Sequence, residues 1–194
     1  MMRIGILLFE GVEELDAVGP WEVLASWAAA HPDEAEVVAF AREAGPVRAA
    51  KGLGLVAEHG MADVGPMDVL LHPGGRGTRP LLKDEEHLAW LRDRRATVPL
   101  LTSVCTGSLA YAAAGLLAGR PATTHWSAID TLTDLDPTIE VRPGYRFVDD
   151  GDTITAAGVS AGIDMALHLV ARLAGTERAK ETRHYIQYDP APPV

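Results

Sequence analysis

Four short apolar runs, "RIGILLF" (3–9), "AEVVAFA" (35–41), "MDVLLHPGG" (67–75) and "VPLLTSV" (98–104), alternate with longer stretches of helical periodicity. Apolar runs of this length, rich in branched residues and bounded by glycine or proline, read as strands buried on both faces. Strands alternating with helices point to an open, mainly parallel sheet covered by helices on both sides. In such a sheet ligands bind beyond the carboxyl ends of the strands. Cys105 and the pair Gly74 and Gly75 fall at two such ends, and Asp16 follows a third.

The segments between the runs give a finer reading. Trp21, Leu24, Trp27 and Ala28 recur at helical spacing, with Pro20 placed as the first helical residue and "GVEELDAVGP" before it as a loop. His31 and Pro32 end that helix. "VRAAKGLGLVAEHG" (47–60) predicts a hairpin turning at Gly52 and Gly54, and "KDEEHLAWLRDRR" (83–95) a helix with an acidic start and a basic end. "TGSLAYAAAGLLAG" (106–119) predicts a helix stopped by Gly119. "ATTHW" (122–126) reads as a short strand leading to a helix that ends at Asp136 and Pro137. "DDGD" (149–152) turns a second hairpin, and "SAGIDMALHLVARLAG" and "TERAKETRHYIQY" are closing helices. With no linker or repeat between these elements, residues 1–194 are expected to form a single domain.

Charge narrows the range of partners. The formal net charge is −10, from 27 acidic and 17 basic side chains. Such a surface repels phosphate backbones, and no Lys/Arg cluster offsets it locally, so nucleic acid is not an expected partner. The N-terminal run is too short to span a membrane and lacks a signal-peptide cleavage region. One cysteine in the whole chain leaves the fold independent of an oxidising compartment. The expected location is the cytoplasm, with no membrane partner.

That cysteine stands in "SVCTG", between a strand and a helix, with glycine two positions on. The arrangement is that of a nucleophile elbow, with Cys105 in the serine slot and Ser103 where the first glycine usually stands. Partial positive charge at the helix N-terminus favours a thiolate there. Gly75 permits close backbone approach, and its N–H together with that of Thr106 would make a donor pair for developing negative charge. Of the three carboxylates in "EELD" (13–16), Asp16, between Leu15 and Ala17, is the candidate for a half-buried acid with a raised pKa. The seven histidines show no metal-ligand spacing, and "EEHLAW" lacks the second histidine of a zincin helix. His72 and His125 lie near strand ends, where a packed or surface role competes with lining the pocket. "GLGLVA" (52–57) has no following helix, and "GGRGT" (74–78) no P-loop lysine, so neither is a nucleotide site.

Taken together, these residues resemble the DJ-1/PfpI superfamily, and within it the isocyanide hydratases. The resemblance is carried by "LLF…V..LD..GP.EVLAS" (7–26), "PGG.G" (73–77), "TSVCTGSL" (102–109), "AAGLL.G..ATTHW" (113–126), "AGIDMAL" (161–167) and "YDPAPP" (188–193). It implies a flavodoxin-like three-layer α/β/α sandwich, a homodimer, and a small-molecule substrate handled without metal or organic cofactor. Carried over by position, Cys105 is the nucleophile, Asp16 the acid beside it and Thr106 the residue after the cysteine. PfpI-type proteases carry histidine at that last position, so the resemblance does not extend to peptidase activity. Two departures bear on substrate range. Ala156 and Ala157 precede Gly158 where a glycine-rich pocket wall is usual, and His72 replaces an apolar residue before "PGG".

The implied reaction is hydration of an isocyanide to an N-formamide through a thioimidate on Cys105, with Asp16 moving the proton, backbone amides of Gly75 and Thr106 facing the reacting centre, and Gly74 and Gly158 as further binding residues. The alternatives are a glyoxalase-like reaction of 2-oxoaldehydes and a redox sensor in which Cys105 is oxidised without turnover. A regulator that adds a DNA-binding helix-turn-helix is not expected, since no basic segment follows "PAPPV".

Overall fold

In the computed structural model, which describes residues 1–190, the four apolar runs are the adjacent inner strands of one seven-stranded sheet. Strand β1 (Met2–Leu7) pairs in parallel with β2 (Ala35–Ala41) on one side, Ile4 lying opposite Val37. The next expected hairpin is formed by β3 (Gly45–Arg48) and β4 (Gly54–Ala57), a separate antiparallel pair. Gly52 takes φ +99° in its turn, whereas Gly54 lies within the second strand. β5 (His59–Gly60) then adds to the free side of β2. On the other side of β1 comes β6 (Val69–His72), and β7 (Leu100–Val104) joins it with His72 opposite Ser103.

Period-two alternation sends consecutive residues of these strands to opposite cores. Ile4, Ile6 and Leu71 pack on one face against Val23, Leu24 and Trp27 of α1 (Glu14–Ala30). Leu7, Leu70 and Leu101 pack on the other, against Leu88 and Leu91 of α3 (Glu85–Thr97) and Leu109 of α4 (Gly107–Ala113). A one-turn helix, α2 (Thr78–Leu81), precedes α3. The result is the three-layer, mainly parallel α/β/α sandwich of the flavodoxin-like type.

Three elements are bounded differently from the sequence reading. Helix α1 starts at Glu14, so "EELD" is its first turn rather than a loop, and Pro20 lies inside it. Proline there leaves only the Asp16 carbonyl without its helical donor, a cost the packed helix absorbs. Helix α4 ends at Ala113 because Gly115 adopts φ +77°, and Gly119 belongs to a later turn. Only Pro121–Ala122 of the next stretch is a strand, β8, and it pairs with β9 (Glu140–Val141) outside the main sheet. Thr123 and Thr124 continue past the sheet end instead, Thr123 donating its N–H to Thr155 Oγ1 at 2.8 Å.

The rest of the chain follows the expected order. Trp126–Ala128 is a single 3₁₀ turn, and α5 (Ile129–Leu135) ends at Asp136. The second hairpin consists of β10 (Phe147–Asp149) and β11 (Thr153–Ala156), and β11 lies parallel to β7. Helices α6 (Ala161–Ala174) and α7 (Thr176–Tyr185) close the described chain. The last residues of "YDPAPP" lie outside the described residues. Among the described residues no helix is long and apolar enough to cross a membrane.

Candidate active site

Strand β7 ends at Val104 and α4 begins at Gly107, so two residues must reverse the chain. Cys105 does so with φ +58°, a conformation that costs a non-glycine residue energy and persists only where the surroundings enforce it. Four hydrogen bonds enforce it here. The Cys105 N–H donates to the carbonyls of Ala156 (3.1 Å) and Ala157 (2.8 Å). Its carbonyl accepts from the Ser108 hydroxyl (3.2 Å) and the Thr124 hydroxyl (2.9 Å). A Cβ at Gly107 would stand 2.1 Å from the His72 carbonyl oxygen, which explains glycine at that place in the elbow.

Asp16 reaches the elbow from the first turn of α1 and is fully buried. Its Oδ2 accepts the Gly74 N–H at 3.0 Å. Its Oδ1 makes no conventional hydrogen bond, yet the carboxyl lies close enough to the Cys105 thiol for each group to shift the other. Burial pushes Asp16 up to about 7, against the pull of the Gly74 N–H, the thiol and the Val159 N–H. Burial likewise pushes the thiol up to about 12, and the Asp16 charge adds to it. The N–H groups of Thr106 and Val159 pull the thiol the other way. The pull of the helix N-terminus toward a thiolate is thus opposed at this site. Helix α4 is only seven residues long, and burial beside a carboxylate outweighs its dipole.

Thr106 joins the elbow to the loop after β6. Its hydroxyl accepts the Gly75 N–H at 3.0 Å and lies 3.1 Å from the Thr78 hydroxyl and 3.3 Å from the Gly75 carbonyl. The expected donor pair of Gly75 and Thr106 is thus corrected, because the Gly75 N–H is occupied and the Gly74 N–H serves Asp16. The amides that face the sulfur are those of Thr106 and Val159. Val159 escaped the sequence reading. It takes φ +51° directly after Gly158, and the only hint was its position in "TAAGVSAGID". Gly74 itself admits no side chain, since a Cβ would lie 2.5 Å from the Thr106 nitrogen and 3.0 Å from Asp16 Oδ2.

The other candidates separate cleanly. Gly158 packs against His125, whose Nδ1 is engaged by Ser127, so the ring is a wall beside the Gly158 turn. Glu13 and Glu14 turn away from the thiol to Lys51. His72 is buried behind the loop, bonded to Pro73 and His87. Among the described residues no cluster of three His, Cys, Asp or Glu side chains is placed to hold a metal ion. The site offers a buried thiol, a buried carboxyl pushed up to about 7 and two backbone donors, that of buried Thr106 and that of half-exposed Val159. That combination suits attack on a small electrophile.

Known proteins resemble this chain along most of its length. The model of the DJ-1/PfpI family matches residues 2–172. The chain is 42% identical over 193 residues to the isonitrile hydratase of Pseudomonas putida, covering 99% of this chain and 81% of that one. It is 32% identical to the HTH-type transcriptional regulator CdhR of Pseudomonas aeruginosa over 89% of its own length, and spans about half (51%) of that regulator. A solved structure of a ThiJ/PfpI family protein from Pseudomonas syringae superposes with a TM-score of 0.90 at 36% identity, covering all (100%) of this chain and 77% of that one.

Proposed function

This chain belongs to the DJ-1/PfpI family, and we propose that within it the protein hydrates isocyanides to N-formamides through a covalent intermediate on Cys105. The observation that carries this reading is the buried thiol of Cys105 beside the buried carboxyl of Asp16, the carboxyl pushed up to about 7 by its burial. The likeness to the isonitrile hydratase supports the same substrate class.

The reaction balances with this chain's groups alone. Asp16 takes the thiol proton as sulfur attacks the terminal isocyanide carbon, and the new C–S bond leaves a carbanionic imidoyl centre at that carbon. Asp16 returns the proton to it, giving a thioimidate. Water then adds to the C=N carbon, its proton passes to the nitrogen, and the C–S bond breaks to release the N-formamide and the thiol. The N–H groups of Thr106 and Val159 hold the sulfur while it carries charge, and Gly74 orients the carboxyl.

The test is formamide production from an alkyl or aryl isocyanide by the parent and by Cys105→Ala, with methylglyoxal assayed in parallel. Formamide from the parent alone supports the proposal; an equally fast Cys105→Ala variant, or lactate in place of formamide, defeats it. A redox-sensing role is distinguished by intact mass after mild peroxide, where oxidation of Cys105 without turnover would favour it. The same reading includes a cytoplasmic homodimer, as the family resemblance implies; the dimer is further supported by exposed Val18 and Val56, which line a groove with Leu8, Trp21 and Leu55.

A further inference from the structure

We propose that His72 is a positioning residue for Asp16, acting through the peptide bond between Pro73 and Gly74. His72 ends β6, where an apolar residue like its neighbours Leu70 and Leu71 would fill the space, and its ring is fully buried. Burying an imidazole is costly unless both nitrogens are satisfied, and here both are. Nδ1 lies 2.7 Å from the Pro73 carbonyl oxygen, and Nε2 lies 3.0 Å from His87 Nε2.

Only one placement of protons fits this chain of contacts. A carbonyl only accepts, so His72 Nδ1 carries hydrogen. Burial and the neighbouring His87 push His72 down to about 3, so the ring is neutral and its Nε2 is a bare acceptor. His87 Nε2 must then donate. The Pro73 carbonyl and the Gly74 N–H are opposite ends of one planar unit, so fixing the first aims the second. The second is the donor to Asp16 Oδ2 at 3.0 Å. The hydrogen-bonded line thus runs from His87 through His72 and one peptide to the acid beside Cys105. Phe9 and Tyr111 pack on the His72 ring, with centroids 5.5 and 5.8 Å away, and hold its plane.

This inference rests on the reading that Asp16 serves Cys105, but its test needs no substrate, so a failed isocyanide assay leaves it standing. The carboxyl carbon of Asp16 is titrated by ¹³C NMR, with the signal assigned by its loss in Asp16→Asn. The charged groups that bear on the readout are Glu13 and Cys105 around Asp16, and Asp84 and Arg42 around His87. All of them are retained in the variants. The Gly74 N–H favours the ionised carboxylate, so loosening it raises the midpoint. His72→Phe, which keeps the ring but not the donor, is expected to raise it by about one unit. His72→Asn restores an N–H toward the same carbonyl and is expected to return it to within about 0.3 unit of the parent. If His72→Phe does not fold, His72→Leu is read in the same way. A midpoint unmoved by loss of the donor, or moved as far by His72→Asn as by His72→Phe, overturns the proposal.

Discussion

The Thr106 hydroxyl accepts the backbone N–H of Gly75 at 3.0 Å, tying the loop after β6 to the turn that carries the cysteine. That single contact makes the position after Cys105 structural as well as chemical. Thr106→Val keeps the shape and strands the part-buried Gly75 N–H, at a cost of about 1 kcal/mol. The expected result is a lower urea midpoint together with activity reduced by about an order of magnitude, because Gly74, the next residue along, holds Asp16. Thr106→Ser keeps the hydroxyl and is expected to recover most of both. Equal defects in the two variants would mean that the methyl group matters, not the hydrogen bond.

The proton shared by Asp16 and Cys105 sets the pH dependence of the proposed reaction. The reactive form carries one proton on the pair, and a second proton puts the thiol beside a neutral acid that has nothing to accept. Asp16 stands at about 7 and Cys105 at about 12. Activity is therefore expected to fall as pH drops through about 7 and to hold level toward pH 9, the midpoint belonging to the pair rather than to one residue. A kcat/KM profile across pH 5 to 9 reads this directly. In Asp16→Asn the acid limb is expected to vanish along with nearly all activity. An acid limb centred below about 5 would place Asp16 in an ordinary carboxylate environment.

That prediction turns on Asp16, which the sequence reading takes as a half-buried acid in a loop and which the structure places fully buried in the first turn of α1. The inner strands are legible because branched apolar runs between glycine and proline have few other uses, and the elbow is legible because small residues must follow a cysteine in such a turn. Pro20 hides the first turn of α1, since proline more often opens a helix than interrupts one, and the packing of α1 on the sheet overrides that preference. The strand pattern in "ATTHW" fails for a different reason. Thr123 gives its backbone N–H to the Thr155 hydroxyl and the Thr124 hydroxyl donates to the Cys105 carbonyl, so neither residue joins a ladder. Val159 and the pairing of His72 with His87 depend on contacts that only the folded topology creates, and no local pattern announces them.

Gly158 offers a steric test of the site wall. A Cβ there would fall 2.1 Å from His125 Cδ2, so Gly158→Ala must push the imidazole aside and disturb the following Val159 turn. Overpacking of this kind costs about 1–3 kcal/mol. The double variant Gly158→Ala with His125→Ala removes the obstacle and is expected to recover the thermal midpoint. Activity should recover with it if the Val159 N–H returns to the sulfur. A single Gly158→Ala variant as stable as the parent would show that the ring has room to move.

The buried imidazoles make the fold sensitive to acid in a way that can be isolated. Burial holds His72 at about 3 and His87 at about 4, both below the ordinary 6.5. Below 6.5 the unfolded chain binds protons that the folded one refuses, so their contribution to stability is intact above that pH and is lost as pH falls toward 4. Asp16 acts in the opposite sense, since its raised carboxyl gains relative to the unfolded state over the range from about 7 down to about 4. That gain is common to any variant that keeps Asp16. Comparing the parent with the double variant His72→Phe and His87→Leu therefore removes most of it, since the rise of about one unit expected for Asp16 in His72→Phe alters that gain between pH 7 and 5 by only about 0.3 kcal/mol. Each histidine is worth about 2 kcal/mol between pH 6.5 and 5, so the parent is expected to lose about 4 kcal/mol more than the double variant on going from pH 7 to 5. Urea midpoints at the two pH values, with the slopes checked for constancy, provide the measurement. Parallel losses in the two proteins would mean that the pair protonates freely in the folded state, and the single proton placement drawn from its geometry would fall with it.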